Sequence, residues 1–377
     1  ILEDKGLLPR LISDGGLDLW MTTIRRRFAP HLGDLSGAPL INFAFGQAAT
    51  VSGDLHRRDV YDWFMPDDPS IVDVLEVLHE YDFGRLATDV IGYTYQRFLE
   101  ETERHRLGHY LTPPAVIDHI LDSASYVTQN VDILGRDVLD PACGSGSFLV
   151  HAAVRYRAAL ARAYAGQEEE AARRFLQAIH ERFIGIDINP FSCYLARINL
   201  LVQALDDIAR LRRVGVSIAL EELSIHNADS LDFRGINAGQ GNLQIFSDPV
   251  QRLKAERAGQ ISYVFANPPY INVKQENLYL ADIQALPFFA DWLHGDANTY
   301  LLFLRVGLHF LAPNGVLAYI VPSTVLGDQQ AGRFRRRTIQ EGFRLAHVTR
   351  FYTERVLFKP VEQATSVLVI RRTEADA

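Results

Sequence analysis

From residue 137 onward the chain alternates between short apolar runs and longer segments whose apolar residues recur every three or four positions. The short runs are Asp137–Leu139, Arg182–Asp187, Leu223–Asn227, Ile261–Ala266, Gly315–Val321, Leu345–Tyr352 and Ser366–Arg371, and each predicts a strand. Phe148–Ala165, Ser192–Leu205 and Tyr300–Leu311 carry the helical period, the last with a Pro-Asn-Gly turn behind it. Such alternation predicts an α/β fold with a mostly parallel, doubly wound sheet covered by helices on both faces. A further helix, Ala115–Ala124, opens just behind Pro113 and Pro114, where a fixed φ suits a first turn. Ahead of it, residues 1–107 read as a helical and irregular N-terminal region. There Ile71, Val74, Leu75 and Leu78 share one helical face behind Pro66-Asp-Asp-Pro-Ser70, and Leu86–Leu99 is a second periodic run. The segments Arg234–Gly259 and Ile271–Ala297 are polar or irregular for their length and read as functional loops or disorder. The expected organisation is therefore a helical region over residues 1–107 and an α/β domain over residues 108–377.

At 377 residues, the length suits one large α/β domain with an appendage. A chain that is 48% hydrophobic and 22% charged is ordinary globular material, which excludes a disordered, collagen-like or coiled-coil protein. Cys143 and Cys193 are too few for a disulfide framework, and no Cys/His cluster has zinc spacing. A reducing, cytoplasmic setting with no structural metal is expected. The apolar stretch Tyr300–Val321 is interrupted by Arg305, His309, Pro313 and Asn314, so no membrane span is expected. The opening Ile-Leu-Glu-Asp-Lys resembles no signal peptide, and a first residue other than Met suggests a piece of a longer polypeptide. Charge is uneven: residues 331–372 hold ten basic side chains against three glutamates, or +7, within a chain of net −8. That suits either a local phosphate-binding face or a solvated Arg-rich surface.

Four motifs sit where predicted strands end. Asp140-Pro-Ala-Cys-Gly-Ser-Gly-Ser-Phe148 joins a strand to a helix, and Gly144 and Gly146 permit a tight turn with close approach of a ligand. It lacks the Lys-Ser/Thr of a phosphate loop and the third Gly of a dinucleotide fingerprint. Asp187 ends the next strand, placed either to accept both hydroxyls of a ribose or to start a turn. Asp229, in Asn227-Ala-Asp-Ser230, suits an adenine amine or a turn equally well. Asn267-Pro-Pro-Tyr270 follows the apolar strand Ile261–Ala266. Pro268 and Pro269 remove two donors and stiffen the loop, so the Asn267 side-chain oxygen and the Pro268 carbonyl form a rigid pair of acceptors beside the Tyr270 ring. A planar amine held between such acceptors loses conjugation and becomes more nucleophilic.

Asp140–Phe148 combined with Asn267–Tyr270 resembles the N6-adenine DNA methyltransferases of restriction-modification and related phage-defence systems, in the gamma arrangement found in type I and type IIG enzymes. The resemblance spans about residues 82–372 and implies a Rossmann-like class I methyltransferase fold with S-adenosylmethionine as methyl donor. It assigns Tyr110, Thr112 and Pro113 of Gly108-His-Tyr-Leu-Thr-Pro113 to the methionine part of the cofactor. Asp140, Ala142, Gly144 and Gly146 fall in the cofactor loop, Asp187 at the ribose, Asp229 and Ser230 at the adenine, and Phe303 of Asn298-Thr-Tyr-Leu-Leu-Phe303 against the adenine ring. Asn267, Pro268, Pro269 and Tyr270 take the catalytic position. Phe358 of Val356-Leu-Phe-Lys-Pro360 stacks with Tyr270 on a flipped adenine. The implied partners are double-stranded DNA and a specificity domain or subunit outside this chain. Two rivals are a methyltransferase with the same Asn-Pro-Pro-Tyr loop acting on RNA or a protein glutamine, and a non-catalytic DNA-binding subunit of a defence complex.

Overall fold

Seven strands form one sheet in the computed structural model, which describes residues 112–216, 223–234, 249–271, 278–293, 297–351 and 364–373. The helical region expected over residues 1–107 lies outside the described residues. The strands are β1 (Val138–Asp140), β2 (Phe183–Asp187), β3 (Ile225–Asn227), β4 (Ile261–Ala266), β5 (Leu311–Pro322), β6 (Phe343–Arg350) and β7 (Thr365–Arg372), in the spatial order β3-β2-β1-β4-β5-β7-β6. β1 to β5 are mutually parallel, and β7 runs antiparallel between β5 and β6. The chain winds outward from β1 through β2 to β3, then returns to lay β4 on the other side of β1. That reversal is a topological switch point, and ligands of open α/β sheets bind outside the carboxyl ends of the strands at such a point. The loops leaving β1 and β4 therefore flank the crevice.

Alternation along β4 and β5 divides the core. Val264, Ala266, Leu317, Tyr319 and Val321 join a cluster with Leu301, Leu304 and Leu308 of helix α8 (Thr299–Phe310). On the opposite side the Tyr126 ring meets Tyr263 and Phe265 edge-on, with centroids 4.9 and 5.7 Å away. Tyr126 follows α1 (Pro114–Ser123), which packs on α2 (Ser147–Ala163) and β5. Both faces of the sheet are thus covered, as strands buried on two sides require.

The chain divides into two compact units, one of Ile1–Ala87, Gln167–His180 and Leu201–Glu222, the other of Thr88–Gly166, Glu181–Leu200 and Leu223–Ala377. The described part of the first is most of α3 (Glu168–Glu181) and the later turns of α4 (Pro190–Arg213). In α3, Ala172, Phe175, Leu176 and Ile179 are buried at helical spacing, and Glu168, Glu169 and Glu170 occupy the first turn, where the helix dipole favours acids. The second unit holds the sheet and every site residue described below.

Three expectations change. Helix α4 continues past Leu205 to Arg213, because the apolar period carries on through Ile208 and Leu211. The supposed loops contain α5 (Pro249–Glu256), α6 (Leu278–Ala285) and α7 (Pro287–Ala290). Finally, α8 runs straight into β5: Leu311 already pairs with Ile261, and Pro313-Asn314-Gly315 is absorbed as an irregularity with Asn314 at φ 60°. Asn tolerates that left-handed conformation better than most side chains.

Candidate active site

β1 ends at Asp140, and its chain turns through Pro141–Gly146 into α2. Gly144 and Gly146 adopt φ +52° and +87°, values that L side chains rarely take. A Cβ on Gly146 would meet that of Ala196 at 3.0 Å, whereas one on Gly144 would meet nothing within 4 Å and would project into open space. The turn is held from several sides. Asp140 Oδ1 accepts the Ala142 amide at 3.0 Å, Ile186 O accepts the Cys143 amide at 3.0 Å, and Asn199 donates to Ser145 O at 2.9 Å. Burial pushes the Asp140 carboxyl well above the usual carboxylate range, and the nearby Asp187 adds to the rise.

Asp187, at the tip of β2, accepts the Gly144 amide at 2.9 Å on Oδ2 and the Asn189 amide at 2.8 Å on Oδ1. The tip of β3 is tied to it in turn, for Asn227 Nδ2 donates to Asp187 O at 3.1 Å and Ala228 N donates to the same carbonyl at 2.9 Å. Ser230, itself buried, donates to Pro141 O at 2.5 Å. Asp229 Oδ1 accepts the Leu231 amide at 2.8 Å, and its Oδ2 accepts the hydroxyl of Tyr279 from α6. The carboxyl ends of β1, β2 and β3 are thereby one hydrogen-bonded unit bearing two carboxylates and an open glycine.

Across the switch point, β4 ends in Asn267-Pro-Pro-Tyr270. The Asn267 amide nitrogen donates to Thr112 Oγ1 at 3.1 Å, and its Oδ1 accepts from the Tyr270 hydroxyl at 2.8 Å. Tyr270 also lies 2.9 Å from Ile320 O, so its single proton is shared between two acceptors. Burial pushes the phenol far up, which keeps that proton in place. Thr299 donates to Pro269 O at 2.5 Å and accepts from the Ile271 amide at 2.9 Å, fixing the loop to the first turn of α8. Pro268 is buried, and no donor among the described residues reaches its carbonyl.

Thr112, Pro113, Asp140, Ala142, Gly144, Gly146, Asp187, Asp229, Ser230, Asn267, Pro268, Pro269 and Tyr270 thus all stand in the loops at this edge or in the segment hydrogen-bonded to it. Pro113 caps the start of α1. Phe303 lies in α8 at 7% exposure, within the core cluster. Tyr110 and Phe358 lie outside the described residues. Three side chains here were given no role by the sequence: Thr299, Tyr279 on Asp229, and the buried Lys254, whose ammonium donates to Asp229 O and Asp232 O, both at 2.7 Å. In the Arg-rich stretch, Arg335 donates to Val325 O and Asp328 O, and Arg337 to Asp291 O, so part of that charge is structural. Arg336 and Arg344 are exposed.

A family model described as N-6 DNA Methylase matches residues 86–377, well over half of the chain. The chain belongs to the N-6 DNA methylase family. It is similar to the adenine-specific methyltransferase PglX of Streptomyces coelicolor, with 29% identity over 214 residues, or 51% of this chain and 17% of that protein. DNA methyltransferase A of Bacillus subtilis is 25% identical over 231 residues, 54% of this chain and 24% of that one. The matched segments thus span less than a quarter of either curated relative. Among solved structures, the methyltransferase subunit of a type I restriction-modification system from Streptococcus thermophilus aligns over 82% of this chain and 54% of its own, at a TM-score of 0.52 and 21% identity. The type IIL restriction-modification enzyme MmeI, solved in complex with DNA, aligns over 94% of this chain and 52% of its own, at a TM-score of 0.59 and 16% identity. At such identities the likeness establishes the fold, which is the Rossmann-like class I methyltransferase fold. Among the described residues no helix is long and apolar enough to cross a membrane.

Proposed function

We propose that this chain carries the methyl-transferring domain, residues 108–377, of a DNA adenine-N6 methyltransferase serving restriction-modification or phage defence. The observation that supports this most is that Asn267, tied to Thr112, leaves the carboxyl end of β4 beside the parallel strand β1, whose own carboxyl end carries the Gly144 turn held by Asp187. The residues present fit S-adenosylmethionine: open space over Gly144, a carboxylate at the ribose position, a second one at the adenine position, and Thr112 hydrogen-bonded to Asn267 with Pro113 next to it. When bound, that cofactor supplies an electrophilic methyl group on a sulfonium.

The chain's own residues do the rest. Asn267 Oδ1 and the Pro268 carbonyl accept the two hydrogens of an exocyclic amine and draw its lone pair out of conjugation. As the amine engages Asn267, the Tyr270 hydroxyl donates to Ile320 O instead, so no buried donor is stranded. The Tyr270 ring, and Phe358 by the family resemblance, would stack on the base. Such stacking is worth ~1–3 kcal/mol per base, which offsets much of the few kcal/mol needed to flip it from the duplex. Exposed arginines such as Arg336 and Arg350, the latter at the carboxyl end of β6, suit contact with phosphates. In this reading the partners are double-stranded DNA and a specificity domain or subunit outside the chain.

The test is to sequence methylated bases in DNA from cells expressing the full-length gene and from cells lacking it. N6-methyladenine at a defined motif, present only with the gene, supports the proposal. DNA without any gene-dependent N6-methyladenine rejects it and leaves an RNA or protein-glutamine methyltransferase, or a non-catalytic subunit, in its place.

A further inference from the structure

Lys254 is fully buried, an expensive position for an ammonium unless its hydrogens are satisfied. It sits in the last turn of α5, and its Nζ reaches two backbone carbonyls of one loop, Asp229 O and Asp232 O, both at 2.7 Å. The ring of Phe233 lies beneath it, 4.9 Å from Nζ to centroid. Phe233 is held in turn by Phe288, stacked at 3.7 Å, and by the edge of His309 at 5.2 Å. His309 Nε2 bonds the Lys254 carbonyl at 2.9 Å, and burial lowers its pKa to about 4, so the ring is neutral and does not repel the ammonium. Arg305 lies outside this stack, 3.9 Å over the far ring, Phe288.

The loop that Lys254 clamps is the one carrying Asp229 and Ser230. Both carbonyls point back at Lys254, and the Asp229 carboxylate instead accepts from Leu231 N and Tyr279. We infer that Lys254 is a positioning residue: it fixes the Asp229 loop before any ligand arrives and so sets the discrimination of the cofactor's adenine from other purines. The inference rests on the reading of Asp229 as the acceptor for the adenine amine.

The experiment compares binding of S-adenosylhomocysteine and S-inosylhomocysteine, which lacks that amine, to the full-length protein and its Lys254→Met and Lys254→Gln variants. The wild type is expected to favour the adenosyl compound by about tenfold or more, the worth of one hydrogen bond to a charged group. In folded variants that preference shrinks most of the way to parity, while affinity for the inosyl compound changes little. A wild type with no preference overturns the Asp229 reading and this inference with it. A preserved preference in either folded variant overturns the role of Lys254 alone. Should neither variant fold, amide exchange in the wild type decides. Slow exchange at Leu231 and Asp232 without ligand supports a preset loop, and rapid exchange that slows only on adding S-adenosylhomocysteine overturns it.

Discussion

The hydroxyl of Tyr270 lies 2.8 Å from Asn267 Oδ1, and the carboxamide it touches is held at its other end by Thr112. A side-chain amide gripped at both ends cannot rotate freely, so Oδ1, the acceptor that the proposed function offers to an amine, is fixed in direction. Preorganised acceptors of this kind cost no reorganisation during the reaction.

The first prediction concerns that grip. Thr112→Val removes the oxygen facing Asn267 while keeping the volume, and single-turnover methylation by the full-length protein should fall about tenfold, the worth of a buried hydrogen bond. Thr112→Ser should recover most of the rate. Cofactor affinity in Thr112→Val should change by much less than the rate. Equal losses in both would mean that Thr112 serves cofactor binding alone.

The glycine turn gives a prediction about stability. Gly144→Ala and Gly146→Ala both incur the strain of a positive φ, about 1 kcal/mol. Gly146→Ala also presses a methyl group to 3.0 Å from Ala196 Cβ, so its melting temperature should fall further. Gly144→Ala should show the larger loss of S-adenosylhomocysteine affinity, because its methyl group enters the open crevice. Calorimetry and thermal melts on the pair check the two orderings.

His309 predicts the acid limb of stability. Its folded pKa, about 4, lies below the ordinary 6.5 because burial disfavours the imidazolium. As pH falls from about 7, the unfolded chain takes up the proton first, so stability declines until the folded pKa is reached, by up to about 3 kcal/mol. His309→Gln, which keeps a donor for the Lys254 carbonyl, should flatten that decline between pH 7 and 4 in urea titrations. An unchanged slope would show that the decline has another origin.

Much of the fold was legible because β1, β2 and β7 are buried on both faces and read as apolar runs, although the edge strand β6 is largely exposed. β4 spans Ile261–Ala266 as expected, and β1, β2, β6 and β7 differ from expectation by two residues or fewer at either end. α6 was not legible: Leu-Tyr-Leu-Ala-Asp-Ile-Gln-Ala is short and apolar on nearly all sides, so it shows no helical period. Within the candidate site, the backbone-defined parts were readable from Gly144, Gly146, Pro268 and Pro269, whose conformational limits are written into their types. Lys254, Tyr279 and Thr299 were not, since their roles arise only when α5, α6 and α8 fold back onto the loops, and no spacing along the chain encodes that contact.

The claim at the centre of this account is that Asn267 presents an adenine amine for methylation. Its most direct measurement is transfer of tritiated methyl from labelled cofactor to DNA by the full-length protein and its Asn267→Ala variant, with RNA and protein offered in parallel and the products digested to nucleosides and amino acids. The account predicts label in N6-methyladenine alone, lost in Asn267→Ala. Label in cytosine, RNA or protein, or N6-methyladenine formed undiminished by the variant, would contradict it.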